Sequence, residues 1–203
     1  MLYTLVLNGS PRPGGDTDAL CEAFARAAHG YAETVRAYGA DVSPCLDCRF
    51  CRTQPGCRIH DGMDAIYERI ERADVLVIAS PVFFSQLSGP LLSLLSRLQC
   101  RYMDRRRARS SDGPGAGRGP GSGRRKMGVV LLAAGGAGAV EPAMAGAQSV
   151  LAALGIRCIG TALAAQTDLL PAARDETALA QARVLGLLAR EAQFAAARPP
   201  AAP

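Results

Sequence analysis

The sequence predicts an α/β fold: a doubly wound, five-stranded parallel sheet of order 2-1-3-4-5, covered by helices on both faces. Three observations predict it. Short apolar runs alternate along the chain with stretches of helical periodicity, the pattern of strand–helix–strand units with right-handed crossovers. The run Val75-Leu76-Val77-Ile78-Ala79 is apolar without alternation, as a strand buried on both faces must be. Three unusual loops follow the predicted strands 1, 3 and 4, and in this strand order they meet at one edge of the sheet, where the winding reverses.

The first strand is Leu2 to Asn8. It runs into Gly9-Ser10-Pro11-Arg12-Pro13-Gly14-Gly15-Asp16-Thr17, after which Asp18 to Ala28 takes up helical spacing with Leu20, Phe24 and Ala27 on one face. Strand, glycine- and hydroxyl-rich turn, then helix is an anion site: small residues let the backbone come close, and the free N–H groups and dipole of a helix start favour negative charge. The Gly-Lys-Ser/Thr ending of a Walker loop is absent, as is the dinucleotide G-x-G-x-x-G. Ser10 and Thr17 offer hydroxyls and Arg12 a charge. An ordinary βα turn is the plain alternative.

Glu33 to Tyr38 reads as the second strand. A cysteine-rich loop over residues 41–61 follows, then a helix with Met63, Ile66, Tyr67 and Ile70 on one side. The third strand, Val75 to Ala79, ends in Ser80-Pro81-Val82-Phe83-Phe84, and the next helix carries Leu91, Leu94, Leu95 and Leu98. Met127 to Ala134 is the fourth strand, ending in Gly135-Gly136-Ala137-Gly138. A helix through Met144, Ala147, Leu151 and Leu154 leads to a fifth strand at Ile156 to Ala162, and Thr177 to Phe194 is the last helix. The organisation expected is one domain over residues 1–194, with a flexible Arg/Gly-rich insertion at 104–126 and a disordered tail at 195–203.

The net charge of +5 is local: residues 101–126 hold nine basic and two acidic side chains, a local +7 that leaves −2 for the rest. A basic segment without a helix-turn-helix, zinc-finger or RNA-binding signature argues against nucleic acid as a partner. The segment reads as a solvated insertion, or as a lid that attracts an anionic partner. No apolar run approaches a membrane span, and the N-terminus carries no export pattern, so the expected location is cytoplasmic and reducing. In that compartment seven cysteines serve as ligands, core residues or redox groups rather than as disulfides.

Cys45-x2-Cys48-x2-Cys51-x5-Cys57 is the most informative cluster. Thiolates so closely spaced suit one [4Fe–4S] cluster. Free or redox-active thiols are an alternative, and zinc is another, although structural zinc sites usually split into two Cys pairs. Cys21, Cys100 and Cys158 lie in apolar contexts and read as core residues. His29 and His60 are not spaced as a ligand pair; His60 reads as a solvated loop residue.

Asn-Gly-Ser-Pro-Arg at 8–12, the four cysteines, Asp61-Gly-Met63, Ala73-Asp74 and Ser80-Pro81-Val82-Phe83-Phe84 occur in this order. Together they resemble the NADPH-dependent FMN reductases of the flavodoxin-like superfamily, and within them the iron–sulfur flavoproteins, over roughly residues 1–165. The resemblance implies FMN as cofactor, with its phosphate on Ser10, Arg12, Thr17 and nearby N–H groups, and a homodimer or homotetramer with the flavin near a subunit boundary. In that role Pro81 stiffens the turn, Val82 and Phe83 offer an apolar wall for one flavin face with Phe84 beside them, and Gly135 and Gly136 allow close approach; plain core residues for Phe83 and Phe84 and an ordinary turn for the glycine pair are the alternatives. The family usually has Tyr where Phe83 stands. It commonly has Gly-Asn-Thr where this chain has Gly15-Asp16-Thr17, so the carboxylates of Asp16 and Asp18 stand near a phosphate. The expectation is that Asp16 caps the helix with its carboxylate turned aside and Arg12 compensating.

The implied activity is an FMN-dependent oxidoreductase, moving hydride or electrons between NAD(P)H or a small organic substrate, anionic if the basic segment attracts it, and an acceptor. Besides a zinc- or thiol-based regulatory module that would hold no flavin, two alternatives stay open. One is a biosynthetic dehydrogenase that aromatises a cyclohexadiene, of the 2-amino-4-deoxychorismate dehydrogenase type. The composition of 22 Arg against one Lys goes with GC-rich genomes, where such flavoenzymes, including those of antibiotic biosynthesis, are common. The other is an electron-transfer iron–sulfur flavoprotein serving an electron-carrier protein. No residue is assigned a catalytic acid or base role.

Overall fold

The computed structural model describes residues 1–111 and 126–197. In chain order the elements are β1 Tyr3–Asn8, α1 Asp16–Ala28, β2 Tyr31–Arg36, α2 Phe50–Thr53, α3 Met63–Arg72, β3 Val75–Phe83, β4 Gln86–Leu87, α4 Gly89–Ser96, α5 Gln99–Ser111, β5 Met127–Ala133, α6 Glu141–Ala153, β6 Arg157–Ala164, a 3-10 turn Ala172–Arg174 and α7 Glu176–Ala197. The sheet order is β2-β1-β3-β5-β6, with the two-residue β4 hydrogen-bonded antiparallel to the end of β3. Setting β4 aside, five parallel strands stand in the expected order 2-1-3-4-5, the flavodoxin-like winding.

The central strands alternate their side chains between two cores. Leu5, Leu7, Leu76, Ile78, Val130 and Leu132 point to the face covered by α3, α4 and α6. Val6, Val75, Val77, Val129 and Leu131 point to the face covered by α1 and α7. Both sides of a strand are therefore buried, which is why Val75–Ala79 shows no polar alternation. Gly186 lets α7 lie directly on α1: a Cβ there would stand 2.4 Å from the Phe24 carbonyl oxygen.

Several boundaries differ from expectation. The second strand is shifted toward the N-terminus, because Tyr31 N–H bonds the Leu2 carbonyl at 2.9 Å and starts pairing two residues earlier. The fifth strand runs on to Ala164, paired with Ala133. The third continues through Ser80–Phe83 to form a hairpin with β4. Two corrections are larger. Residues 104–111, expected in a flexible insertion, belong to helix α5, anchored by buried Cys100 and by Asp104 between Arg101 and Arg107 at helical spacing. Residues 195–197, expected in a disordered tail, are the last turn of α7. The rest of both segments, 112–125 and 198–203, lies outside the described residues.

Lys126, read from sequence as part of the solvated basic segment, is half-buried. Its Nζ donates to the carbonyls of Ile70 (2.6 Å), Glu71 and Ala73 (3.2 Å), at the C-terminal end of α3. A cation there satisfies carbonyls that a helix leaves without partners and complements its dipole. Lys126→Met is expected to lower the unfolding free energy by about 1–3 kcal/mol, read as a lower urea midpoint with an unchanged m-value.

Candidate active site

The carboxyl ends of β1, β3 and β5 are aligned, with Asn8 beside Ala79 and Pro81 beside Ala133. Gly9 N–H bonds the Ala79 carbonyl at 2.8 Å, which ties the loop after β1 to β3. The helix α1 that follows β1 covers one face and α4 and α6 the other, so the loops at 9–15, 80–88 and 134–140 flank the point where the winding reverses.

The first loop is folded by its own side chains. Asn8 Oδ1 accepts from Ser10 N–H at 2.7 Å, and the Ser10 hydroxyl accepts from Arg12 N–H at 3.2 Å while lying 3.1 Å from the Arg12 carbonyl. Ser10 therefore shapes the turn. Asp16, Thr17 and Asp18 open α1, and their N–H groups have no hydrogen-bond partner among the described residues. These are the orphan donors of a helix start. Buried Thr17 keeps its hydroxyl uncommitted among the described residues, and Arg12 is 78% exposed. Gly9 sits too close to α4 to carry a side chain: a Cβ would meet Ser88 Oγ at 2.5 Å and Leu91 at 2.9 Å.

The two acidic residues divide their roles. Asp16 does not cap α1; Gly15 is the cap residue and makes no side-chain bond. The Asp16 carboxylate is instead turned aside, accepting from Ala172 N–H at 2.8 Å and lying 3.4 Å from Arg12. Asp18 turns inward. Its Oδ1 accepts from Asn8 Nδ2 at 2.7 Å, and its Oδ2 accepts from Gly14 N–H and from the Arg36 guanidinium, both at 2.7 Å. Burial pushes the Asp18 carboxyl up, but the bonds from Arg36, Gly14 and Asn8 outweigh it and hold the group below the ordinary aspartate value.

The second loop is the β3–β4 hairpin. Pro81 and Val82 are half-buried, Phe83 is 44% exposed and Phe84 is fully exposed. Phe84 and Ser85 both have left-handed backbones (φ 49° and 62°), which closes a two-residue turn that usually demands Asn-Gly. Two exposed rings on a strained turn are costly unless something covers them.

In the third loop a Cβ on Gly135 would meet the Asp168 carboxylate at 2.7 Å, whereas Gly136 faces open space. Asp168 was not among the expected site residues; it lies on the loop after β6, whose N–H groups at Thr167 and Asp168 bond the carbonyls of Ala134 and Gly135. Open helix-start donors, an aromatic hairpin and a small-residue edge at one switch point fit an elongated, flat, phosphorylated cofactor such as FMN.

The cysteine loop is fastened from below. Asp61 Oδ2 accepts from Ser43 N–H at 2.9 Å and from Arg97 at 2.7 Å, and Asp61 Oδ1 accepts from Met63 N–H at 3.0 Å. Arg97, with a fully buried side chain, also donates to the carbonyls of Ser43 (2.9 Å) and Ile59 (2.8 Å). Cys45 N–H bonds Ser96 Oγ at 2.9 Å, and α5 contributes Asp104 to Gly56 N–H and Arg107 to the Cys51 carbonyl. Cys45, Cys48, Cys51 and Cys57 are free and line one pocket, whose floor includes Arg97, Cys100 and Met103. Burial, then the nearby Cys45, Cys48 and Cys57 thiols, push the Cys51 thiol up. Among the described residues no three His, Cys, Asp or Glu side chains are drawn together as a metal-ion site. The donors match an iron–sulfur cluster in kind, and the pocket holds all four. Cys21 and Cys100 are buried as expected, Cys158 partly so, and His60 is an exposed loop residue 3.1 Å from Asp64.

Residues 3–169 match the family model for the NADPH-dependent FMN reductases. The chain belongs to that family. Among the curated relatives are an iron-sulfur flavoprotein of Methanocaldococcus jannaschii, 34% identical over 94 residues, and one of Methanosarcina thermophila, 35% identical over 94 residues. Each match covers 45% of this chain and 49% of the relative, so the chain matches about half the length of either. A solved flavone reductase has the same fold, with a TM-score of 0.71, 15% identity and coverage of 98% of this chain and 65% of that one. No helix among the described residues is long and apolar enough to cross a membrane.

Proposed function

We propose that this FMN reductase family member is an FMN-dependent oxidoreductase that also carries a [4Fe–4S] cluster on Cys45, Cys48, Cys51 and Cys57. On this reading it passes hydride or electrons between NAD(P)H or a small organic substrate and an acceptor. The observation that carries the reading is the meeting of three loops at the switch point: unpartnered α1 N–H groups, the Phe83–Phe84 hairpin and the Gly135–Gly136 edge. The iron-sulfur flavoprotein relatives and the four-thiol pocket support the cluster.

FMN supplies the hydride-accepting ring nitrogen when bound; the chain supplies position. The first turn of α1, the Thr17 hydroxyl and Arg12 bind the phosphate, while Ser10 holds the turn in shape. Val82, Phe83 and Phe84 present an apolar wall that excludes water from one flavin face. Gly135 and Gly136 leave room for the ring edge. A second copy of the chain, as a homodimer or homotetramer, covers exposed apolar side chains such as Leu169 and Leu170.

A narrower reading, electron transfer with no organic substrate, draws on the exposure of Cys45 and Cys48 at the surface. Two measurements test these readings. Protein purified without air is expected to release about one FMN per chain and to contain about four iron and four sulfide, with no zinc. Colourless, iron-free protein that takes up no added FMN overturns the proposal. Yellow protein without iron keeps the flavoenzyme and removes the cluster, and loss of the broad iron–sulfur absorbance in Cys48→Ser supports the ligand set. NAD(P)H oxidation with small acceptors, beyond slow leakage, marks the enzyme rather than the carrier.

A further inference from the structure

Asp18, behind the loop after β1, forms a part-buried charge pair with Arg36 at the end of β2, which the family resemblance does not account for. We propose that Asp18 and Arg36 form an electrostatic clasp for the cofactor phosphate, with Asp18 holding the loop and Arg36 cancelling the charge that Asp18 brings. Both are positioning residues, and the proposal rests on the reading of this loop as the FMN phosphate site.

The loop has few donors to spend. Pro11 and Pro13 have no N–H, Ser10 and Arg12 N–H groups are taken within the turn, and Gly15 N–H lies 3.4 Å from the Arg12 carbonyl. Gly14 is left-handed (φ 70°), and its N–H is held by Asp18. Asp18 thus ties the tip of the loop to Asn8 at the end of β1 and leaves the first-turn N–H groups of α1 as the donors without partners among the described residues. Cradles of this kind work when they are built in advance of binding.

The tie has an electrostatic cost. Asp18 is 7% exposed, in the same helical turn as the open donors. A carboxylate there complements the helix dipole but repels a phosphate dianion, and little water intervenes to screen it. Arg36, the last residue of β2, reaches the same Oδ2 at 2.7 Å. Its Nη1 is buried with no hydrogen-bond partner among the described residues, so the guanidinium is committed to Asp18 through Nη2. With the pair intact the loop is neutral at this point, and the helix start and Arg12 set its attraction for an anion.

The test compares FMN with riboflavin, which lacks the phosphate, by quenching of flavin fluorescence on titration with apoprotein. Arg36→Met is expected to weaken FMN binding at least about tenfold while riboflavin binding stays within about twofold, because only the phosphate meets the unmasked carboxylate. Asp18→Asn removes the charge and keeps an oxygen for Gly14 N–H, but its amide nitrogen then faces the Asn8 Nδ2 donor, so it serves as the background for the second arm. In that background Arg36→Met is expected to change FMN binding by no more than about twofold, because no carboxylate is left to unmask, the signature of a coupled pair, and Arg36→Lys alone is expected to retain most of the FMN affinity. Equal losses of FMN and riboflavin in Arg36→Met, or a loss of FMN affinity as large in the Asp18→Asn background as in wild type, overturn the clasp. Apoprotein that binds neither flavin overturns the FMN reading, and the clasp with it.

Discussion

Arg97→Met is expected to lower the unfolding free energy by about 3–5 kcal/mol, the cost of removing one partner from a buried ion pair. Arg97 is fully buried and makes three bonds of 2.7–2.9 Å, to Asp61 and to the carbonyls of Ser43 and Ile59. Methionine fills the volume but leaves Asp61, 11% exposed, and two carbonyls without a cation. Those carbonyls flank the four cysteines, so the loop at 41–61 should also become open to proteases at a concentration that leaves wild type intact. Arg97→Lys keeps the charge and loses the fork that reaches three acceptors, so it should fall between wild type and Met. A thermal or urea midpoint for Arg97→Met equal to wild type would sink this account.

Acid is expected to unfold the protein steeply below about pH 4, through Asp18 and Asp61. In each case burial pushes the carboxyl up and is outweighed. Arg36, Gly14 and Asn8 pull Asp18 down, and Arg97, Ser43 and Met63 pull Asp61 down. The sign follows from the depressed values: the folded state binds the protons more weakly than the unfolded chain. The stabilisation is fully present above the unfolded aspartate value near 4, and is lost as pH falls through the folded values. Two such groups give a limiting slope of about 2.7 kcal/mol per pH unit. Urea midpoints measured from pH 7 to pH 2.5 should stay level in the contribution of these two until about pH 4.5 and then drop. Asp18→Asn should remove about half of the slope.

The sheet was legible because its signals are local: Val75–Ala79 is apolar throughout, and each special loop follows directly on its strand. The grouping of the loops at one edge followed from strand order alone. The tertiary charges were not legible. Arg36 ends a strand eighteen residues after Asp18, and nothing in the sequence links them. Arg97 did carry a signal, as the one cation among Leu91, Leu94, Leu95 and Leu98, since a charge next to an apolar stripe needs a buried partner. Lys126 carried a weaker one, standing directly before the buried strand Met127–Ala133. Helix α5 was hidden by composition: its arginines read as solvent-loving, yet Asp104 and Arg107 turn inward to the cysteine loop.

Helix α4 is flanked by its cap residue Ser88, packed on Gly9 of the first loop, and at its other end by Ser96 and the cap residue Arg97, which hold Cys45 and Ser43. Its eight residues rise roughly 12 Å at 1.5 Å per residue. The helix is thus a ruler between the first loop and the thiol pocket, and it fixes both their separation and their rotation about its axis. Conservative changes on its exposed side leave that gauge alone. Inserting one residue turns its far end by about 100°, so the two ends could no longer engage both loops at once. The chain can vary what each centre does far more readily than it can vary the span between them.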